Sequence, residues 1–410
     1  MTSKEIKYFK GTHRIIPPNE TIKNNEEKCK IAGITRITEI THLDRIGLPV
    51  FSAIRPTSQD GAISIYGGKG ISSEHAKASA MMEGFERYSA EKQCENLVTG
   101  TVSEISSKGN TIDVESLNLP KDFKKENIEL FNLEWNICHD LISGDDYYVP
   151  SNAIYHPYVL EDNSCQSLFK SNTNGLASGN SLEEAILHGM FEVIERDAWS
   201  IFELTHKNYK QIDLDSIESE TVNDAISKFS ENDIKIKLMD FTADVNIPTI
   251  AASADDTLLK DAGLLTLGIG THLDPEVAVL RALTEVAQSR ATQIHGTRED
   301  TIRADFMRKA GYEHMKKMNR HYFQREDETI DLADIEDKSS HSIKRDIETS
   351  IEEVQKAGFN QILYTDLTRE EIGINVARVI IPKAELYSLD EERLGTRALE
   401  YDRKARRGLV

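Results

Sequence analysis

Residues 174–197 read NGLASGNSLEEAILHGMFEVIERD. A Gly/Asn-rich run leads into a segment with the apolar period of a helix, starting near Leu182 and running past Phe202. At about 100° per residue, Ile186, Leu187, Met190, Phe191, Val193 and Ile194 share a wide apolar face. Ala185 and Gly189 form a small-residue face that permits close approach. Glu184, His188, Glu192 and Glu195 make a third stripe. Such a helix has no ordinary solvated side, and carboxylates on it are costly unless cations or hydrogen-bond donors satisfy them.

The pattern occurs three times. With Gly70, Gly179 and His272 as position zero, the fourth step is Glu74, Glu183 and Glu276, and the sixth Ala76, Ala185 and Ala278. The tenth is always small (Ala80, Gly189, Ala282) and the thirteenth always Glu (Glu83, Glu192, Glu285). The sixteenth is Glu86, Glu195 and, as a departure, Gln288. Arg87 and Arg196 follow, with Arg290 nearby in the third copy. Helices are therefore expected over about 72–94, from Leu182, and from near Asp274. Ion pairing with Arg87, Arg196 and Arg290 would explain one such helix. Three copies favour convergence on a shared, cation-rich ligand, and Mg²⁺ bridging carboxylates to phosphate is the simplest one. The departure at Gln288 gives the first two helices the metals and the third the phosphates or base.

Gly67–Gly70, Asn174–Asn180 and Gly268–His272 read as turns entering the three helices. Helix N-termini favour anions, and Lys69 adds charge there. None is a P-loop, since Gly68-Lys69 is followed by Gly70 and the spacing fails. His188, on the acidic stripe, is the best candidate among the histidines for more than a structural role. Adjacent Cys138 and His139 point to opposite faces of a strand and make no nucleophilic pair.

The 410 residues carry a net charge of −20, which argues against general nucleic-acid binding. The N-terminal stretch lacks the apolar run of a secretory signal, and no segment is long enough to span a membrane. Four scattered cysteines form no CxxC, which points to buried thiols in a reducing cytosol. Strands are expected at 62–66, 130–137, 147–150, 234–240, 248–254, 264–268, 361–366 and 375–381. Residues 297–355, polar and charged, read as a solvent-facing helical insertion with a loop at 337–342.

The ordered set Gly68-Lys-Gly70, Ser79-x3-Glu83-x2-Glu86-Arg87, Asn174-Gly175 to Asp197, and Thr271-His-Leu-Asp-Pro275 to Arg290 strongly resembles the YcaO family. The resemblance runs from about Lys10 to Arg397, and its finer features resemble the archaeal, methanogen-type branch. It implies a mixed α/β single domain, residues 1–410, built of repeated helix–sheet modules, commonly a cytoplasmic homodimer using ATP and Mg²⁺. By motif match Ser79, Asn180, Arg196, Gln288 and Arg290 would contact the nucleotide, with Arg14 and Lys10 near the phosphates. Glu83, Glu86, Glu184, Glu192 and Glu195 would hold Mg²⁺ or its waters. The implied chemistry is ATP-dependent activation of a peptide-backbone amide. In this branch that means thioamidation of a glycine in the methyl-coenzyme M reductase alpha subunit, with a TfuA-like sulfur-delivery partner. Azoline formation is a second reading, put in doubt by a terminus, Arg-Arg-Gly-Leu-Val410, that lacks a Pro-rich tail. A non-catalytic nucleotide-binding accessory protein is a third.

Overall fold

The computed structural model describes residues 5–9, 11–93, 97–160, 164–206, 209–296, 302–324 and 328–407. Three strand–helix units carry the repeat. They are β1 (Ile65–Lys69) with α1 (Ser73–Ala90), β2 (Leu176–Gly179) with α2 (Leu182–Thr205), and β3 (Thr266–Thr271) with α3 (Pro275–His295). Each helix starts where a side chain accepts from the first-turn N–H groups: Ser72 from His75, Ser181 from Glu184, and Asp274 from Glu276 and Val277. These caps satisfy donors that the helix itself leaves free.

Each of the three strands is the edge of its own sheet. β1 closes a three-stranded antiparallel sheet with Val50–Ile54 and Arg36–Glu39. β3 closes a five-stranded sheet running through Thr249–Asp256, Ile234–Asp240, Lys210–Ile212 and Thr329–Ile330. β2 closes a six-stranded sheet through Asn375–Ile380, Leu363–Asp366, Leu133–Asp140 and Val98–Gly100, with Asp146–Pro150 paired to Leu133–Asp140.

The glycine runs expected as turns belong largely to these edge strands. A Cβ on Gly68 would fall 2.1 Å from the backbone nitrogen of Ala80 and 2.2 Å from the carbonyl of Ala76. One on Gly270 would fall 2.3 Å from the carbonyl of Ala278. The small face of each helix therefore presses directly on the strand before it, and glycine supplies the room. A strand without side chains shows no alternation, so periodicity could not find it.

The wide apolar faces fill three cores. Met81 and Phe85 of α1 pack with Trp135 and Leu133; Val279, Leu283 and Val286 of α3 pack with Leu238, Ile250 and Phe229. Ile186, Met190 and Ile194 of α2 pack with Ile343, Ile347 and Val354. Each such buried side chain contributes about 1.5–3 kcal/mol. The last three residues belong to the helix Ile343–Lys356, inside the segment expected to face solvent. That segment is fastened elsewhere too: Thr329–Ile330 extends the five-stranded sheet, and Tyr322 is buried beside Phe202 and Phe241. Several of its apolar residues serve these anchors, while Phe306 and Met318 stay exposed.

The helices Pro18–Asn25, Glu220–Ser230 and Arg397–Ala405 were not expected from the sequence. Cys29, Cys138 and Cys165 are buried and free, and His139 lies exposed beside Cys138. Among the described residues no helix is long and apolar enough to cross a membrane.

Candidate active site

The acidic stripes of α1, α2 and α3 face one another across a cavity of about 300 Å³. Ser79, Glu83 and Glu86 come from α1, and Glu184, His188, Glu192 and Glu195 from α2. Arg281, Glu285 and Gln288 come from α3. Asn180, Arg14 and Arg196 also line it; Lys10 lies outside the described residues.

Six carboxylates (Glu83, Glu86, Glu184, Glu192, Glu195, Glu285) thus meet five cationic side chains (Arg14, Lys69, Arg87, Arg196, Arg281). The pairing is loose. Arg87 lies 3.3 Å from Glu83 and 3.5 Å from Glu86, and Arg196 lies 3.6 Å from Glu195. Oε2 of Glu195, Nε and Nη1 of Arg87, Nε of Arg196 and Nε of Arg281 are buried without a hydrogen-bond partner. Burial pushes the Glu86 carboxyl up to about 8 against the pull of Arg87. It pushes Glu195 up to about 7 against Arg196, and it raises Glu192 as well. Arg281 is lowered from the ordinary arginine value by the same loss of water.

Two carboxylates are settled differently. Burial would raise Glu285, but Lys69, in contact with it, and Arg196 outweigh that and hold it below the usual range. Glu184 accepts from the Asn180 side chain at 3.0 Å and from the Ile15 N–H at 3.2 Å, and Arg14 lies 3.4 Å away. It fastens the chain around residue 15 to the start of α2. The backbone N–H of Ser178 donates to Glu86 at 3.1 Å, joining β2 to α1. His188 sits in the cavity, but burial and then Arg281 and Arg14 hold it well below its ordinary value, so it is neutral and a weak base at pH 7.

Arg290 is not in the cavity. It is fully buried, and Asp44, at 2.7 Å from Nε, and Asp256, at 3.0 Å from Nη2, occupy its guanidinium. The helical wheel explains this. Steps 5, 9, 13 and 16 lie within about 40° of one direction, whereas step 18 points the opposite way. The same wheel points to two residues that the motif match left out. Arg281 and Glu285 are steps 9 and 13 of the third copy. Lys69, at the end of β1, reaches them from the adjoining sheet.

The set has the chemistry of a site for a metal-bound polyanion. Carboxylate oxygens suit Mg²⁺, and arginines with open donors suit phosphate. Comparison with known proteins agrees. Residues 67–385 match the family model described as YcaO cyclodehydratase, ATP- and Mg²⁺-binding.

The chain belongs to the YcaO family.

Its relatives include an uncharacterized protein of Methanothermobacter thermautotrophicus, 52% identical over 93% of this chain and 97% of that one. Another, from Rhizobium leguminosarum bv. trifolii and described as lying in the tfuA 3′ region, is 30% identical over 96% of this chain and 93% of its own length. The structure of YcaO from Methanopyrus kandleri bound with AMPPCP and Mg²⁺ superposes with a TM-score of 0.79. It is 27% identical and covers 96% of this chain and 98% of that one. The mixed α/β YcaO fold is thereby established, as are ATP and Mg²⁺ as the cofactors of this YcaO protein. Members of the family are ATP-dependent peptide-modifying enzymes.

Proposed function

We propose that this YcaO protein activates a peptide-backbone amide with Mg·ATP and converts it to a thioamide, its target being a glycine of the methyl-coenzyme M reductase alpha subunit. The observation that carries the activation step is the cavity itself, where three acidic stripes and the open arginine donors converge. The thioamide product is supported by the 52% relative from a methanogen and by the relative named for a tfuA region. A TfuA-like protein is the proposed sulfur-delivery partner.

Glu83, Glu86, Glu184, Glu192 and Glu195 are assigned to Mg²⁺ and its waters. Arg14, Arg196, Arg281 and Lys69 are assigned to the phosphates, and Ser79, Asn180 and Gln288 to polar contacts with the nucleotide. When bound, Mg·ATP supplies the γ-phosphoryl group that accepts the amide oxygen. The chemistry balances with hydrosulfide as nucleophile. Its sulfur bonds to the amide carbon, the oxygen leaves within phosphate, the hydrosulfide proton ends on that phosphate, and ADP remains. The protein's own residues hold the reactants in line and neutralise charge, which is most of what phosphoryl transfer needs. The neutral His188 fits a hydrogen-bonding role better than that of a general base.

The test is incubation of the protein with Mg·ATP, the glycine-containing target peptide, sulfide and a TfuA-like partner. Phosphate release and a mass gain of about 16 Da, oxygen replaced by sulfur in the phosphoryl mechanism, support the proposal. Loss of water from a Cys- or Ser/Thr-containing peptide would instead favour azoline formation. Unchanged cellular modification with Glu83→Gln and Glu192→Gln would favour an accessory role.

A further inference from the structure

Beyond the end of the cavity, α2 carries a second group of ligating side chains. Glu203 lies in its last turn, His206 is the residue that caps its C-terminus, and His321 comes from the short helix Arg320–Phe323. One donor atom from each residue lies within 4.8 Å of the others.

Three further observations single the group out. Nε2 of His321 is buried and has no hydrogen-bond partner. One oxygen of Glu203, Oε1, takes the donors around it, the hydroxyl of Tyr322 and the indole N–H of Trp199. This orients the carboxylate and leaves Oε2 to a third partner, the usual outer-shell arrangement at a metal. His206 holds φ of 49°, a left-handed conformation that glycine adopts at lower cost. A histidine holding this conformation fits a use for its side chain.

We infer that Glu203, His206 and His321 form a binding site for one first-row divalent transition ion of the zinc type, distinct from the Mg²⁺-binding cavity. Two imidazoles and one carboxylate are a donor set for Zn²⁺ or Co²⁺ and a poor one for Mg²⁺, which demands oxygen ligands. The ion would pin the end of α2 to the helix Arg320–Phe323. The link to the cavity is short: Trp199, which holds Glu203, also lies 5.4 Å under the guanidinium of Arg196. The site does not depend on the peptide chemistry proposed above.

The test titrates the full chain, stripped with chelator and then dialysed, with Zn²⁺ by calorimetry and with Co²⁺ by visible absorption. Millimolar Mg²⁺ is present throughout, to fill the carboxylate cavity. One equivalent of Zn²⁺ is expected to bind and raise the melting temperature, and Co²⁺ is expected to give the absorption of a low-coordinate site. His206→Gly removes a ligand from an exposed position and relieves the left-handed backbone, so the metal-free variant is expected to melt no lower than the parent. It is also expected to lose at least about tenfold in Zn²⁺ affinity, together with the Co²⁺ band; about tenfold is the low end for removing support from a metal site. His321→Ala is expected to lose both in the same way. Absence of Zn²⁺ binding by the parent overturns the inference. So does binding that survives in both variants, which would place the ion elsewhere.

Discussion

Arg290 and Arg281 differ by nine residues on one helix and are expected to fail in opposite ways. Arg290 pairs with Asp44 and shares Asp256 with Arg45. Arg290→Ala leaves buried carboxylates uncompensated, at a cost of about 3–5 kcal/mol. Chemical denaturation should show that loss, with nucleotide affinity of the folded fraction unchanged. Arg281→Met should leave the unliganded protein as stable or more so, because the native guanidinium is buried with Nε unpaired and lowered from its ordinary value. It should also weaken nucleotide binding by about 10- to 100-fold, the range of one charged hydrogen bond. Equal effects of the two substitutions on binding would refute this division. The carboxylates set a pH dependence. Glu86 is raised by burial from 4.5 to about 8, so near pH 7 the folded, unliganded protein holds a proton that the unfolded chain has lost. The stability this confers is complete below about 4.5 and disappears as pH rises through 8. The melting temperature of the chelated, nucleotide-free protein should therefore fall between pH 5 and about 8.5, and Glu86→Gln should flatten that slope. Magnesium requires the ionised carboxylate, so binding of Mg·nucleotide at pH 7 should release protons. Calorimetry in buffers of different ionisation heat reads that release, and finding none would count against the assignment of Glu86. At this scale the sequence was most legible through the helical wheel. It placed Glu83, Glu86, Glu192 and Glu195 in the cavity. The departure at Arg290 came from following a motif past the point where the wheel had turned away.

The repeating element is a strand without side-chain bulk pressed on a helix with a small-residue face. Helices were readable because three faces repeated at one period, and their observed starts at Ser73, Leu182 and Pro275 lie within two residues of those expected. The glycine end of β1 and all of β2 were read as turns because glycine carries no alternation and four or five residues hold little signal. Their function is geometric: β1 brings Lys69 against Glu285 of α3, and β2 brings the N–H of Ser178 to Glu86 of α1. Gly68→Ala tests that function. Its Cβ would fall 2.1 Å from helix backbone, which no rotamer change relieves, so strand and helix must separate. The expected cost is about 1–3 kcal/mol, as for overpacking a core. Displacement of Lys69 should also lower nucleotide affinity. A variant of unchanged stability and affinity would show that the strand tolerates the shift.

At the scale of the whole molecule, three sheets each lend one edge to a single cavity. Local patterns in the chain could not show this, because the edges are fixed by distant pairings. β2 pairs with Asn375–Ile380, and β3 joins a sheet whose far edge is Thr329–Ile330. Repeats announce modules, but sheet order is a property of pairings far apart in sequence. The arrangement makes ligand binding a clasp between modules, whose polar links at the cavity include Lys69–Glu285, Ser178–Glu86 and Arg14–Glu184. α1 and α2 carry the carboxylates raised by burial, whereas α3 offers Arg281, Gln288 and a Glu285 already held by Lys69. Mg²⁺ alone should therefore draw α1 and α2 together, and the nucleotide should add α3. Hydrogen exchange separates the two steps. Mg²⁺ by itself is expected to slow exchange in the middle turns of α1 and α2 and to leave α3 unchanged. Mg²⁺ with a non-hydrolysable ATP analogue should slow all three helices and β1. Equal protection of α3 by metal alone would mean that the third stripe also binds the ions, and the division of labour inferred from Gln288 would fall.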